Sequence, residues 1–281
     1  FNTKNFELNS EFNQINKNIT PKIRELKIDS NNRLMKLTFP KNISIDSVLS
    51  IYKRSGKYEF VEQDFIGYGS GVQVSPNDNY FNLQYSLKND GSFNTNFMSE
   101  MNIVSVKGAD INIEALWDHT TGDEELIVAV IDSGMNMTHE DLQGRFWVND
   151  DEIIGNNIDD DGNGFIDDVN GWDFINNDNN PSDDHGHGTN VGSIAMATGN
   201  NSLGISGVNW NSKIMVVKAL DENNSGSYSA MIESIYYAVD NGAKVINFSI
   251  GGRGYSESLK NAVDYCYNNN VVFVACMMNH D

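Results

Sequence analysis

Cysteine, basic residues and long apolar runs are all scarce in this 281-residue chain. The longest unbroken apolar run is Val271 to Met278, eight residues. A membrane-spanning helix needs about 20, so no membrane span is expected. The chain opens at Phe1 without a basic-then-apolar leader, so any signal peptide is expected to have been removed. The two cysteines, Cys266 and Cys276, fall in an expected helix and the strand after it. They are read as two buried free thiols and leave the redox compartment open. No internal repeat occurs, and scattered Asn-rich stretches are the only compositional bias.

The shortage of basic residues is uneven. Nineteen basic residues face 39 acidic ones, a net charge of −20. Residues 1–57 nevertheless carry 11 basic and 5 acidic residues, a local +6, and residues 58–281 carry −26. A surface that acidic repels phosphate backbones, which argues against nucleic acid as a partner. A small basic segment joined to a large acidic one suggests two pieces that dock, with opposite fields setting register. Compositional drift is the alternative. What the chain does have, 39% hydrophobic and 10% aromatic residues, suffices for a packed core.

Two patterns share the chain. In the first, Arg33 to Phe39 reads as a strand closed by Pro40. Ile45, Val48, Leu49 and Tyr52 then mark one face of a short helix, with Ser44 as N-cap and Lys53, Arg54 and Gly56 as its stop. Tyr58 to Val61 reads as another strand, and Gly67 to Gly71 as a linker. From residue 126 the pattern changes. Apolar strands are expected at Leu126–Ile131, Ile214–Val217, Val245–Ile250 and Val271–Cys276, with helices near 188–198, 227–241 and 256–269. Strands with little polar alternation, separated by helices, mean a doubly wound α/β parallel sheet. Such sheets place their chemistry beyond the carboxyl ends of their strands. Asp132, Ser249 and Asn279 stand there.

Asp132 ends a buried strand, where a carboxylate is costly unless hydrogen-bonded. Alone it reads as a turn cap. Fifty-five residues on, His187 stands between two glycines at a helix start, with room for a substrate. Alone it reads as structural. Together they form the supporting half of a nucleophilic triad, an Asp that orients a His.

Another constellation is acidic. Between Arg145 and Lys213 lie 12 acidic residues and no Lys or Arg. Asp159, Asp161, Asn163 and Asp167, with Gly164 for the turn and Asp168 following, supply oxygen at positions 1, 3, 5 and 9 of a calcium loop. A register starting at Asn157, with Gly162 sixth and Asp168 twelfth, also works. Calcium is the expected cofactor, against a plainly solvated loop.

These residues resemble the subtilisin-like serine proteases. Val128-Ala129-Val130-Ile131-Asp132-Ser133-Gly134, continued by His139-Glu140-Asp141-Leu142, looks like the family's aspartate motif. His187-Gly188-Thr189-Asn190-Val191-Gly192 looks like its histidine motif, with Asn190 where a second His is commoner. Val245 to Gly252 resembles the substrate-binding strand, and Val271 to Asn279 the strand that ends in the oxyanion Asn. The resemblance runs from about Pro76 to the end. It implies a serine endopeptidase acting on polypeptides, secreted, with a subtilisin-like sheet incomplete at the C-terminus. His187 would move the proton, Asp132 would hold the imidazole, and Asn279 would donate to the oxyanion. Ser249, Ile250 and Gly251 on one side, and Ser225 and Gly226 on the other, would pair with an extended peptide.

Two departures stand out. Cys276, Met277 and Met278 fill places where small residues and Gly are usual, which would narrow the specificity pocket or shift Asn279. No Gly-Thr-Ser-x-Ala-x-Pro-like motif occurs, so the nucleophile is expected beyond residue 281 and these residues alone are not expected to cleave peptides. A non-catalytic truncated or degenerate relative, retained for calcium or peptide binding, is the second reading. The resemblance alone also implies a second calcium site at Asp78, Asp141 and Asn201, with the carbonyls of Leu203 and Ile205. It places a small α+β propeptide, the protein's own inhibitor and folding aid, at 1–70, and the catalytic part at 71–281. Phe60 to Glu62 resembles the propeptide's closing strand, and Ser75 to Asp78 a mature N-terminus.

Overall fold

The computed structural model describes residues 22–27, 33–40, 44–56, 58, 61–62 and 74–278. The chain forms two compact units, 1–69 and 70–281. In the first, β1 (Lys22–Lys27) pairs antiparallel with β2 (Arg33–Thr38), in register from Lys22 opposite Thr38 to Lys27 opposite Arg33. Helix α1 (Ile45–Arg54) starts at Ser44, whose side chain accepts from the Ser47 N–H. Its buried face, Val48 and Tyr52, packs with Val61, and Phe39 and Tyr58 set their rings against Tyr52. Of the strand expected at 58–61, Tyr58 lies in a bend and Val61 in irregular chain, and Glu59 and Phe60 lie outside the described residues. The expected linker, Gly67 to Gly71, lies outside the described residues.

The second unit is built on a five-stranded sheet: β3 (Ile127–Asp132), β4 (Gly171–Asp173), β5 (Lys213–Lys218), β6 (Val245–Phe248) and β7 (Val272–Ala275). The order is β4-β5-β3-β6-β7, and every pairing is parallel. Two short helices, α2 (Asn96–Glu100) and α3 (Ile113–Trp117), precede the sheet. Three longer ones cover it: α4 (His187–Met196), α5 (Tyr228–Asp240) and α6 (Glu257–Asn268). Ala129, Ile131, Met215 and Val217 pack on one face with Ile235 and Ala238 of α5 and Ala262 and Cys266 of α6. Val128, Val130, Ile214 and Val216 pack on the other with Met135, Leu142 and Met196. Burial on both faces is why these strands read as continuous apolar runs.

Strand β6 stops at Phe248, which leaves Ser249 and Ile250 beyond the sheet edge. The three-residue β4 was not expected. Cys266 is buried as anticipated, its thiol pushed up to about 11 by burial. Cys276, expected to be buried, is exposed past the end of β7. Both thiols are free. Among the described residues no helix is long and apolar enough to cross a membrane.

Candidate active site

The sheet reverses its direction of growth at β3: the chain adds β4 and β5 on one side and β6 and β7 on the other. A crevice opens outside the carboxyl ends of strands at such a point. Asp132 ends β3 there and is fully buried. Its carbonyl accepts from the N–H groups of Ala219 and Leu220, just past β5. Its Oδ1 accepts from the Ser133 N–H at 2.7 Å and from His187 Nδ1, also at 2.7 Å. Oδ2 meets no protein partner among the described residues.

His187 is the first residue of α4 and is one third exposed. A carboxylate only accepts, so its contact puts the proton on Nδ1 and leaves Nε2 as the basic nitrogen. Gly186, at φ 97, turns the chain into the helix. The turn before it is held by Asp183. Its carboxylate accepts from Ser133 Oγ, from the N–H groups of His185, Gly186 and Thr189, and from Thr189 Oγ1. Burial alone would raise its pKa, but the hydrogen bonds from Thr189, Gly186 and Ser133 outweigh it and hold the carboxyl below its ordinary value. Ser133 Oγ in turn accepts from the Gly188 N–H at 2.9 Å. The turn carrying His187 and the strand end carrying Asp132 are thus tied together.

Ser225 and Gly226 lie between β5 and α5, and Gly226 packs so close to the Ala219 carbonyl that a Cβ would not fit. Ser249, Ile250 and Gly251 follow β6, where Ser249 Oγ accepts from Asn247 Nδ2 at 3.1 Å and Ile250 is buried. Gly251 carries the Met278 thioether against its backbone. Asn279 lies outside the described residues. A cleft of about 790 Å³ opens beside the same turn, lined in part by Asn136, His139, Asp183, Thr189 and Asn190. His187, Ser225 and Ser249 do not line it.

The acidic loop brings two of the acids its spacing picks out, Asp161 and Asp168, together with one it does not, Glu152. Carboxylate oxygens of Glu152, Asp161 and Asp168 lie within 4.8 Å of one another. Asp159 instead accepts from the Asn163 and Gly164 N–H groups, and Asp167 from those of Gly155, Asn156 and Asn157. Asn163 donates Nδ2 to both Asp161 and Asp168, as does Asn149. Tyr237 of α5 donates to Asp168 at 2.6 Å. Burial first, and the charge of Asp161, push the Asp168 carboxyl above its ordinary value against those hydrogen bonds. Three convergent carboxylates, two of them buried, fit a hard cation that takes oxygen ligands. The amides of Asn149 and Asn163 would add oxygens by turning over. Glu152 precedes the spaced motif, and no sequence spacing flags it.

Asp78 and Asp141 are also buried, and the loop Asn200 to Ser206 wraps around them. Asp78 accepts from the Asn200 and Asn201 N–H groups and from Ser206 Oγ. Asp141 accepts from Asn201 Nδ2 and the Ile205 N–H. Asn201 therefore joins the two acids, with its nitrogen rather than its oxygen turned to Asp141.

The model of the subtilase family (peptidase S8) matches residues 123–281. The chain belongs to the subtilase family. It is 31% identical over 238 residues to the thermophilic serine proteinase of Bacillus sp. (strain AK1), covering 84% of this chain and 48% of that protein. It is 37% identical over 163 residues to thermitase of Thermoactinomyces vulgaris, covering 58% and 50%. Against subtilisin-like protease 1 of Plasmodium berghei it is 38% identical over 161 residues, covering 57% and 27%. This subtilase chain thus spans about half the length of two of these relatives and about a quarter of the third.

Proposed function

We propose that this subtilase chain serves a secreted serine endopeptidase, in which Asp132 and His187 work with a serine beyond residue 281. The observation that carries the reading is the 2.7 Å contact of His187 Nδ1 with the fully buried Asp132. In this mechanism the seryl Oγ attacks the scissile carbonyl carbon while His187 Nε2 takes its proton. The same proton passes to the leaving amine when the C–N bond breaks, and a water then releases the acyl group by the same route. Asp132 keeps Nδ1 protonated and stabilises the imidazolium. Asn279 donates to the oxyanion. Main-chain groups of Ser225–Gly226 and Ser249–Gly251 hold the peptide as an added strand.

Calcium completes the reading. Glu152, Asp161 and Asp168, with the loop set by Asp159, Asn163 and Asp167, would hold one ion. Asp78, Asp141 and Asn201, with the carbonyls of Leu203 and Ile205, would hold a second. The ions supply positive charge that lets these acids stay close. Residues 1–70 act as the propeptide, a basic inhibitor of an acidic enzyme.

The complete protein, incubated with a fluorophosphonate probe and a peptide substrate, tests the reading. Labelling at a serine past residue 281 is expected, with turnover falling about 10⁴-fold in Asp132→Asn. A folded protein that neither labels nor hydrolyses peptide, yet still binds calcium or peptide, supports the non-catalytic reading instead.

A further inference from the structure

Lys218 ends β5, is 1% exposed, and has no part in the chemistry above. It lies directly across the sheet from Asp132. Its ammonium donates to the Ser133 carbonyl at 2.9 Å, the Leu220 carbonyl at 2.8 Å and Asp184 Oδ1 at 2.7 Å. Three protons meet three acceptors, so the group is fully satisfied. A buried ion pair is nonetheless a poor source of stability, because apolar residues of similar volume often serve as well or better. What distinguishes this one is where its acceptors lie.

Ser133 follows Asp132 in the chain. Leu220 donates its own N–H to the Asp132 carbonyl at 3.1 Å. Asp184 is three residues before His187, in the turn that passes through Gly186 into α4. One ammonium therefore joins the backbone that carries Asp132 to the turn that carries His187. Asp183 makes a separate tie between the same two segments, through Ser133 Oγ. The imidazole is held at one end by a carboxylate, and its alignment depends on how firmly these segments are fixed to each other.

We propose that Lys218 and Asp184 form a positioning pair that sets the alignment of His187 on Asp132. The proposal rests on the reading of those two residues as the proton-handling pair. Neither Lys218 nor Asp184 touches the reacting atoms. Both act through the geometry of His187.

In the complete protein, Lys218→Met should lower kcat for a peptide substrate about 10–100-fold, the scale expected of a small misplacement. KM should stay within about twofold, since loss confined to kcat marks an interaction realised in the transition state. Lys218→Arg, which keeps the charge and the donors, should recover part of the loss. Unchanged kcat in a folded Lys218→Met variant, or a loss confined to KM, overturns the proposal. A second measurement follows the downfield proton resonance of His187 Nδ1–H, assigned by its absence in His187→Ala. Asp184→Asn serves here because Asp184 is half exposed and its replacement leaves the buried lysine in place. The resonance should shift or broaden in Asp184→Asn and in Lys218→Met. An unchanged resonance in both overturns the proposal. Wild-type protein inert to the fluorophosphonate and to peptide refutes the endopeptidase reading alone, and the Nδ1–H resonance still decides the positioning pair.

Discussion

Gly188 leaves no space for a side chain against Gly134: a Cβ there would collide with the Gly134 carbonyl oxygen and stand 3.1 Å from the Asp132 Cβ. The obstruction is backbone, which cannot swing aside as a flexible side chain can. Gly188→Ala must therefore push α4 away from the end of β3. We expect a loss of about 1–3 kcal/mol, the usual range for overpacking, and turnover reduced more than the stability loss explains. Thermal unfolding and peptide hydrolysis measure the two, and a variant that melts with the wild type would contradict the packing.

Asp183 makes stability depend on acid. Its folded-state pKa is depressed by hydrogen bonds from Thr189, Gly186 and Ser133, which outweigh its burial. A depressed carboxyl contributes stability above its unfolded value, near pH 4, and loses it as pH falls through the lower folded value. Asp183→Asn should cost about 1 kcal/mol at pH 7, a figure reduced for partial exposure. The gap between variant and wild type should begin to narrow below about pH 4 and close once the pH is below the folded value. Denaturant titrations at pH 7 and pH 3 check this, and a gap as wide at pH 3 as at pH 7 would count against it.

Calcium should stabilise the second unit. At a hundredfold excess over Kd the linkage gain is about 2.7 kcal/mol per site. Melts of the complete protein with calcium and with chelator should differ by several degrees. Glu152→Gln should shrink that difference. Coincident melts of the wild type under both conditions would remove calcium from the proposed function.

Residues 1–70 should inhibit the mature enzyme in trans, and inhibition should weaken with salt because the two parts carry opposite net charge. Neutralising Lys36, Lys41, Lys53, Arg54 and Lys57 together should mainly slow association. N-terminal sequencing of the complete protein after expression should place the first cut between Gly67 and Val74. A mature chain that still begins at Phe1, with no inhibition at either salt, would make the leading unit a permanent domain.

The second unit was legible wherever burial imposed a run. Val128 to Ile131 and Ile214 to Val217 lie inside the sheet with both faces covered, so apolar residues had to be consecutive. Gly171–Asp173 escaped notice because only Trp172 is apolar there and the strand is three residues long. Lys22–Lys27 escaped for a related reason: four of its six residues are charged, which hides any alternation. At the acidic loop, spacing could flag Asp161 and Asp168 but not Glu152, which folds back from outside the motif. Nor could spacing separate acids that face one another from Asp159 and Asp167, which shape the loop through its own N–H groups. Lys218 gave no signal at all. At the end of an apolar strand it resembles a residue returning to solvent, yet it is buried, with its ammonium on Asp184 and on the Ser133 and Leu220 carbonyls.

The central place of β3 has a dynamic consequence. Its amides are bonded between β5 and β6 and covered by helices on both faces, so they should exchange with solvent only when the second unit unfolds as a whole. His187 begins a helix flanked by two glycines on a solvent-facing turn. Its neighbours can exchange through local fraying that costs far less. The two halves of the Asp132–His187 contact thus belong to regions of unequal local stability. On warming, the imidazole should leave the carboxylate before the sheet melts, so function would be lost reversibly at a temperature below the unfolding midpoint.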